Sequence, residues 1–253
     1  NSAGSWSPDG RQLALITFVD GGNEIALWDV NTRSIQRRIR VAGVGALANP
    51  AWSPDGESIV VTGLDGGISD LYLVNLQSGQ VRQLTSDKYA ALQPAWSPDG
   101  KYIVVSRSAG LGGAAKLQLH HVDGRSPIPL IRAPANLKTV GAAWSPDGRH
   151  IWYAGRMGDW QYNAIFPQYQ LYRYDRETGT STLMTNRYGS AFRPALSPDG
   201  RWLVYGTREG AQTGLRLREL STGEEQWLAY PVQRDEMESR APLDVLPGYA
   251  FTP

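Results

Sequence analysis

The chain contains no cysteine. Disulfides, thiolate nucleophiles and zinc–sulfur sites are therefore excluded. It has no run of about 18 apolar residues, so the sequence offers no membrane-spanning helix. Charge of one sign is also scarce: the formal net charge is +1 with 19% charged residues. Such a balance creates no field to draw nucleic acid or an anionic membrane. Only three histidines occur, His120, His121 and His150. His120 and His121 are adjacent on an expected strand, so they point to opposite faces and cannot share one metal there. His150 opens a strand and reads as an edge or surface residue. Asn1 is not followed by a charged-then-apolar leader, which fits a removed signal peptide or an internal fragment.

What the chain has in excess is turn chemistry: 28 glycines, 16 prolines and 9 tryptophans in 253 residues. That composition favours a turn-rich all-β chain. The turns repeat. Trp-Ser-Pro-Asp-Gly occurs at Trp6–Gly10, Trp52–Gly56, Trp96–Gly100 and Trp144–Gly148, and Leu196–Gly200 differs only in its first residue. Successive copies are 46, 44, 48 and 52 residues apart. Phe251-Thr252-Pro253 resembles the opening of a sixth copy.

Each pentapeptide precedes the same succession. An apolar, β-rich run comes first (Leu13–Val19, Ile59–Leu64, Tyr102–Ser106, His150–Ala154, Trp202–Thr207). An alternating run follows (Glu24–Val30, Asp70–Leu76, Lys116–Val122, Gln170–Tyr174, Gly214–Leu220). Alternation with period two marks half-buried strands. A polar turn and a short last strand complete the unit. With the strand that carries the Trp, this makes four antiparallel strands, A to D. Four strands in a repeat of about 45 residues is the signature of a β-propeller. The expected blades are residues 1–45, 46–90, 91–138, 139–190 and 191–245, with 246–253 starting a further one, in one propeller domain of a larger protein.

The corner has a mechanical explanation. Pro fixes φ for a tight turn, Asp (Asp9, Asp55, Asp99, Asp147, Asp199) caps it through backbone N–H groups, and Gly supplies the left-handed exit. The Trp wedges between blades and buries a large apolar surface. Five copies of a catalytic Ser or Asp would serve no purpose, so these residues are structural. Pro50–Gly56 and Pro94–Gly100, with Leu84-Thr85 at a blade end, resemble TolB-like propeller repeats. The resemblance implies a fold and several settings. One is a periplasmic propeller that binds proteins. Others are propellers placed before prolyl-oligopeptidase-type hydrolases, tricorn-type proteases or secreted amidohydrolases. The segment from Tyr230 to Pro253 resembles a linker of the amidohydrolase-associated propellers, which implies a periplasmic or secreted protein.

Strand order places A–B and C–D turns on one face and B–C and D–A loops on the other. Variation falls on the second face. It includes the Gly-rich Ala109–Ala115, the long Gly155–Pro167 and the connection near 229–248. Asp159, Trp160, Tyr162 and Phe166, with Tyr169 beyond them, are candidates for recognition, the alternative being packing onto a neighbouring blade. Arg107, Arg156 and Arg208 lie near strand B ends and frame the same face or pair with carboxylates.

No Gly-x-Ser-x-Gly elbow and no calcium-loop spacing occur. The glycine-rich stretches at 43–48 and 110–115 lie between antiparallel strands, not in a βαβ unit, and do not bind dinucleotides. Asp235, Glu236 and Glu238 alternate with Arg234 and Arg240 as a solvated or ion-paired loop. The sequence thus predicts no catalytic residue, no metal and no cofactor. The expected partner is a protein or an adjacent domain of the same polypeptide, with a dimer through an open blade edge as a further arrangement.

Overall fold

The structure, a computed structural model, describes residues 4–108, 115–130, 138–156, 169–209, 212–233 and 249–253. These residues form a five-bladed propeller of four-stranded antiparallel sheets. Blade 1 comprises β1 (Ser5–Trp6), β2 (Gln12–Val19), β3 (Gly22–Asp29) and β4 (Ser34–Ile39). Blade 2 comprises β5 (Ala46–Trp52), β6 (Ser58–Asp65), β7 (Ile68–Asn75) and β8 (Val81–Gln83). Blade 3 has β9 (Ala91–Trp96), β10 (Tyr102–Arg107), β11 (Lys116–His121) and β12 (Ile128–Pro129). Blade 4 has β13 (Lys138–Trp144), β14 (His150–Arg156), β15 (Gln170–Asp175) and β16 (Thr180–Leu183). Blade 5 has β17 (Ala191–Leu196), β18 (Trp202–Glu209), β19 (Gln212–Glu219) and β20 (Glu225–Gln233). Among the described residues there is no helix.

The core is divided. Each of the four junctions between consecutive blades has its own apolar cluster, because a sheet lying between two others is buried on both faces and alternation sends neighbouring side chains to opposite junctions. In β6, Val60 packs toward blade 3 with Ile103 and Val105. Its neighbours Ile59 and Val61 pack toward blade 1 with Ala14 and Leu27. Val104 joins Ile151 and Tyr153 between blades 3 and 4. Trp152 joins Leu203 and Tyr205 between blades 4 and 5. This explains why strand B reads as a continuous apolar run.

The A–B corner is built identically five times. Ser7, Ser53, Ser97, Ser145 and Ser197 donate their hydroxyls to the Asp two residues on, at 2.5 to 2.6 Å. The same hydroxyl accepts the backbone N–H of the residue five positions on, at 2.8 to 2.9 Å. The Asp carboxylate also accepts the N–H two residues further, at 2.9 to 3.1 Å. The glycine takes φ between +68° and +77°. Ser is therefore as structural as Asp, since it satisfies the first donor of strand B while locking the carboxylate.

Strand A carries a second repeated device. In blades 2 to 5 the register slips by one residue, as between Ala48↔Thr62 and Ala51↔Val60. The bulged residues Asn49, Gln93, Gly141 and Arg193 all have left-handed φ, at +48°, +54°, +62° and +51°. The next residue is Pro50, Pro94, Ala142 or Pro194. A proline is tolerated there because a bulge frees it from the ladder.

The wedge tryptophans reach backward. Trp96 Nε1 donates to Ala51 O and Trp144 Nε1 to Ala95 O, each at 3.0 Å across a blade junction. Trp52 differs: its Nε1 bonds Gly56 O of its own corner at 3.1 Å, and its backbone N–H takes Ser5 Oγ at 2.9 Å. Blade 1 offers a serine and a two-residue inner strand where the later blades offer an alanine on a longer one. The corners also nest. A Cβ on Gly56, Gly100, Gly148 or Gly200 would meet Pro8, Pro54, Pro98 or Pro146 of the preceding corner at 3.5 to 3.9 Å. Gly10 stands in the same relation to Pro253, at 3.7 Å. Tyr249 OH donates to Phe192 O at 3.2 Å and to Arg193 O. The 249–253 segment thus bridges blade 5 and blade 1, in the place of a sixth innermost strand.

Candidate functional site

The two faces of the disc differ in chemistry. On the A–B and C–D face the turns are polar and capped. Asp29, Asn75 and Asp175 accept backbone N–H groups two or three residues on, as in Asp29 Oδ1 with Thr32 N at 2.7 Å. Arg149 also donates to Asp175 at 2.7 Å and holds its carboxyl down at about 2.

The opposite face exposes apolar side chains at the B–C turns and D–A connections. Phe18 is 74% exposed and Tyr188 88%, with Leu64 and Leu92 also exposed. Among the described residues, the remaining exposed large apolar side chains lie on the outer D strands. Exposed aromatics at the ends of rigid strands suit recognition, because a rigid ring loses little entropy on binding.

The residues expected to frame this face are distributed differently. Arg107 is only 6% exposed. It turns inward beneath the connection before β9, donating to Tyr89 O at 2.8 Å, pairing with Asp87 and lying 5.6 Å from the Tyr89 ring. Desolvation lowers its pKa from the usual guanidinium value. Arg208 is 7% exposed. Arg156 is half-buried at the end of β14, opposite Lys138 in the register. Tyr169 is 3% exposed and belongs to the cluster between blades 4 and 5, so it packs internally. Asp159, Trp160, Tyr162 and Phe166 lie outside the described residues, as do the 109–114 stretch and the acidic cluster at 235–238.

The histidines are separate. His120 is buried at the blade 2–3 junction, and desolvation, with Arg107 nearby, lowers its pKa to about 4. His121 faces the other way, edge-on to Tyr102 at 5.0 Å. His150 Nε2 lies 3.7 Å from Asp175. Among the described residues no group of three His, Asp or Glu side chains could hold a metal, and no helix is long and apolar enough to cross a membrane. What sequence reasoning missed is the bulge ring of Asn49, Gln93 and Arg193. Only Gly141 carried a left-handed signal.

Comparison with known proteins agrees with this geometry. The profile of the TolB beta propeller domain matches residues 3–126. The chain is 27% identical over 204 residues to the Tol-Pal system protein TolB of Francisella tularensis subsp. mediasiatica, covering 79% of this chain and 44% of that protein. It is 25% identical over 210 residues to dipeptidyl-peptidase 5 of Porphyromonas endodontalis, covering 81% of this chain and 29% of that one. The solved structure of a putative TolB from Agrobacterium tumefaciens superposes with a TM-score of 0.73 at 20% identity, over 90% of this chain and 80% of that chain. The chain spans less than half the length of these two curated relatives.

Proposed function

From a chain built of TolB-like β-propeller repeats, we propose a non-catalytic docking module whose B–C and D–A face binds a protein partner or a neighbouring domain. The observation that carries this is the contrast between faces. One is five copies of the same hydrogen-bonded corner, and the other exposes Phe18, Leu64, Leu92 and Tyr188. A recognition surface needs apolar anchors that water leaves readily, and repeated corners have none. A periplasmic or secreted setting belongs to the same proposal. So does the assignment of the segment ending at Pro253 to the first strand of a further blade.

Site-specific photocrosslinking in the native host tests it. A photoreactive residue at Phe18 or Tyr188 should give discrete adducts, while one at Arg11 or Glu57 on the corner face should give none. Adducts from the corner positions alone would overturn the assignment.

A second reading makes this chain the propeller portion of a hydrolase whose chemistry lies elsewhere in the polypeptide. The match to a dipeptidyl-peptidase favours the peptidase form. The resemblance of 230–253 to an amidohydrolase linker favours a metal-dependent amidohydrolase. In both, the same face docks or gates the catalytic domain. The coding sequence around this segment separates these readings.

A further inference from the structure

The junction of blades 4 and 5 holds a cleft of about 400 Å³ on the corner side of the disc, away from the docking face. Its origin is visible one junction earlier. Between blades 3 and 4, the first residue of strand B, the wedge and the residue following strand C are Tyr102, Trp144 and Arg176. Arg176 lies 5.1 Å from the Trp144 ring and 5.4 Å from the Tyr102 ring, and donates to Gly148 O at 2.8 Å. Between blades 4 and 5 the same positions carry His150, Leu196 and Leu220. The backbone confirms the match: Arg176 N donates to Arg149 O and Leu220 N to Arg201 O, each to the residue after its corner glycine. Trp152 returns one large ring from the other side of the junction. A tyrosine and an arginine have nonetheless become a histidine and a leucine, and the space stays open.

The lining carries charge of both signs. Arg173, half-buried on β15, lies 6.0 Å from the Trp152 ring and has no carboxylate partner among the described residues. Asp147 and Asp199 lock their corners through Oδ1, which takes the serine hydroxyl and a backbone N–H. Among the described residues Oδ2 of each accepts no hydrogen bond, and both aspartates are exposed at the rim. His150 is turned to Asp175, with Nε2 3.7 Å from that carboxylate. Trp152, Leu196 and Leu220 supply the apolar part of the wall.

We propose that this cleft binds a free aromatic amino acid. The ring enters the space beside Trp152, Leu196 and Leu220. The α-carboxylate pairs with the Arg173 guanidinium, and the α-ammonium meets Oδ2 of the rim aspartates. A cleft of this volume with an aromatic wall, an unpaired guanidinium and open carboxylate oxygens matches a zwitterion with a flat apolar side chain. A plain anion would meet the aspartates, and a plain cation would meet Arg173.

Calorimetric titration of the 253-residue chain with L-tryptophan tests this, against tryptamine, which lacks the carboxylate, and indole-3-propionate, which lacks the ammonium. L-tryptophan should bind saturably, one per chain, and at least tenfold more tightly than either analogue. Arg173→Gln should weaken L-tryptophan at least tenfold and should not weaken tryptamine. Leu220→Arg rebuilds the arrangement of Arg176, fills the cleft and should abolish binding. If Arg173→Gln does not fold, Leu220→Arg decides. L-tryptophan binding no tighter than the analogues, binding unchanged in a variant that folds, or an Arg173→Gln loss shared equally by tryptamine overturns the proposal.

Discussion

Trp152 and Leu196 exchange sizes across the junction of blades 4 and 5. Eight residues after the wedge position, strand B presents Ala14, Val60 and Val104 in blades 1 to 3, facing Trp52, Trp96 and Trp144 of the following blade. Blade 4 presents Trp152, and the wedge of blade 5 is Leu196, in one cluster and lining one cleft. The departure of the fifth corner from the repeat is thus a transfer of the large ring from one side of the junction to the other.

A double-mutant cycle measures this exchange. Trp152→Val should cost roughly 2–4 kcal/mol through the cavity it opens. Leu196→Trp should cost roughly 1–3 kcal/mol through overpacking. The double variant restores the pairing of Val104 with Trp144 and should be more stable than the sum of the two losses predicts, by at least about 1 kcal/mol in urea unfolding. Additive losses would mean that the two residues do not share a space.

The corner serines give a second outcome. Ser97→Ala removes the acceptor for Tyr102 N and the donor to Asp99. It should lower stability by roughly 1–3 kcal/mol, because a buried N–H loses its partner. Ser53→Ala should lose about the same, since its corner has the same bonds. Chemical denaturation of the two variants checks the equivalence.

His120 makes the fold sensitive to mild acid. Its pKa falls from 6.5 to about 4 on folding, so the folded state disfavours the charged form. Stability is complete above the unfolded value and is lost as pH falls from about 6.5 toward 4, by at most about 3 kcal/mol. The corner carboxylates act elsewhere. The pKa values of Asp9, Asp99, Asp147 and Asp199 are lowered, with hydrogen bonds from the corner serine and the following backbone holding the charged form. Their contribution persists until pH falls below the ordinary carboxylate value of 3.8. Thermal melts of His120→Leu should therefore lose the decline between pH 6.5 and 4 and keep the one below it.

Gly189 offers a test of how tightly the D–A connections sit on the blades. A Cβ there would lie 2.0 Å from Arg208 O, and its φ is +96°. Backbone cannot yield as a side-chain tip can. Gly189→Ala should cost more than about 2 kcal/mol, read as a fall in the melting temperature.

The five repeats, their strand order and the corner geometry were legible because they rest on local chemistry: Pro, Asp and Gly at fixed offsets and period-two alternation. Three features were not. The bulge at Asn49, Gln93 and Arg193 has no residue signature, since only Gly141 advertises its φ. The Trp152–Leu196 exchange pairs residues 44 apart across a junction that no local pattern reveals. Arg107 and Arg208 read as rim residues from their strand-end positions. The connections preceding β9 and β17 fold over those ends, and at 6% and 7% exposure both arginines are interior.

The division of labour between the faces is tested most directly by amide hydrogen exchange, on the chain alone and saturated with the partner captured through Phe18 or Tyr188. Protection should rise at residues 18–22, 64–68 and 186–190, while the amides of Gly10, Gly56, Gly100, Gly148 and Gly200 stay unchanged. Protection confined to those glycine corners would contradict it.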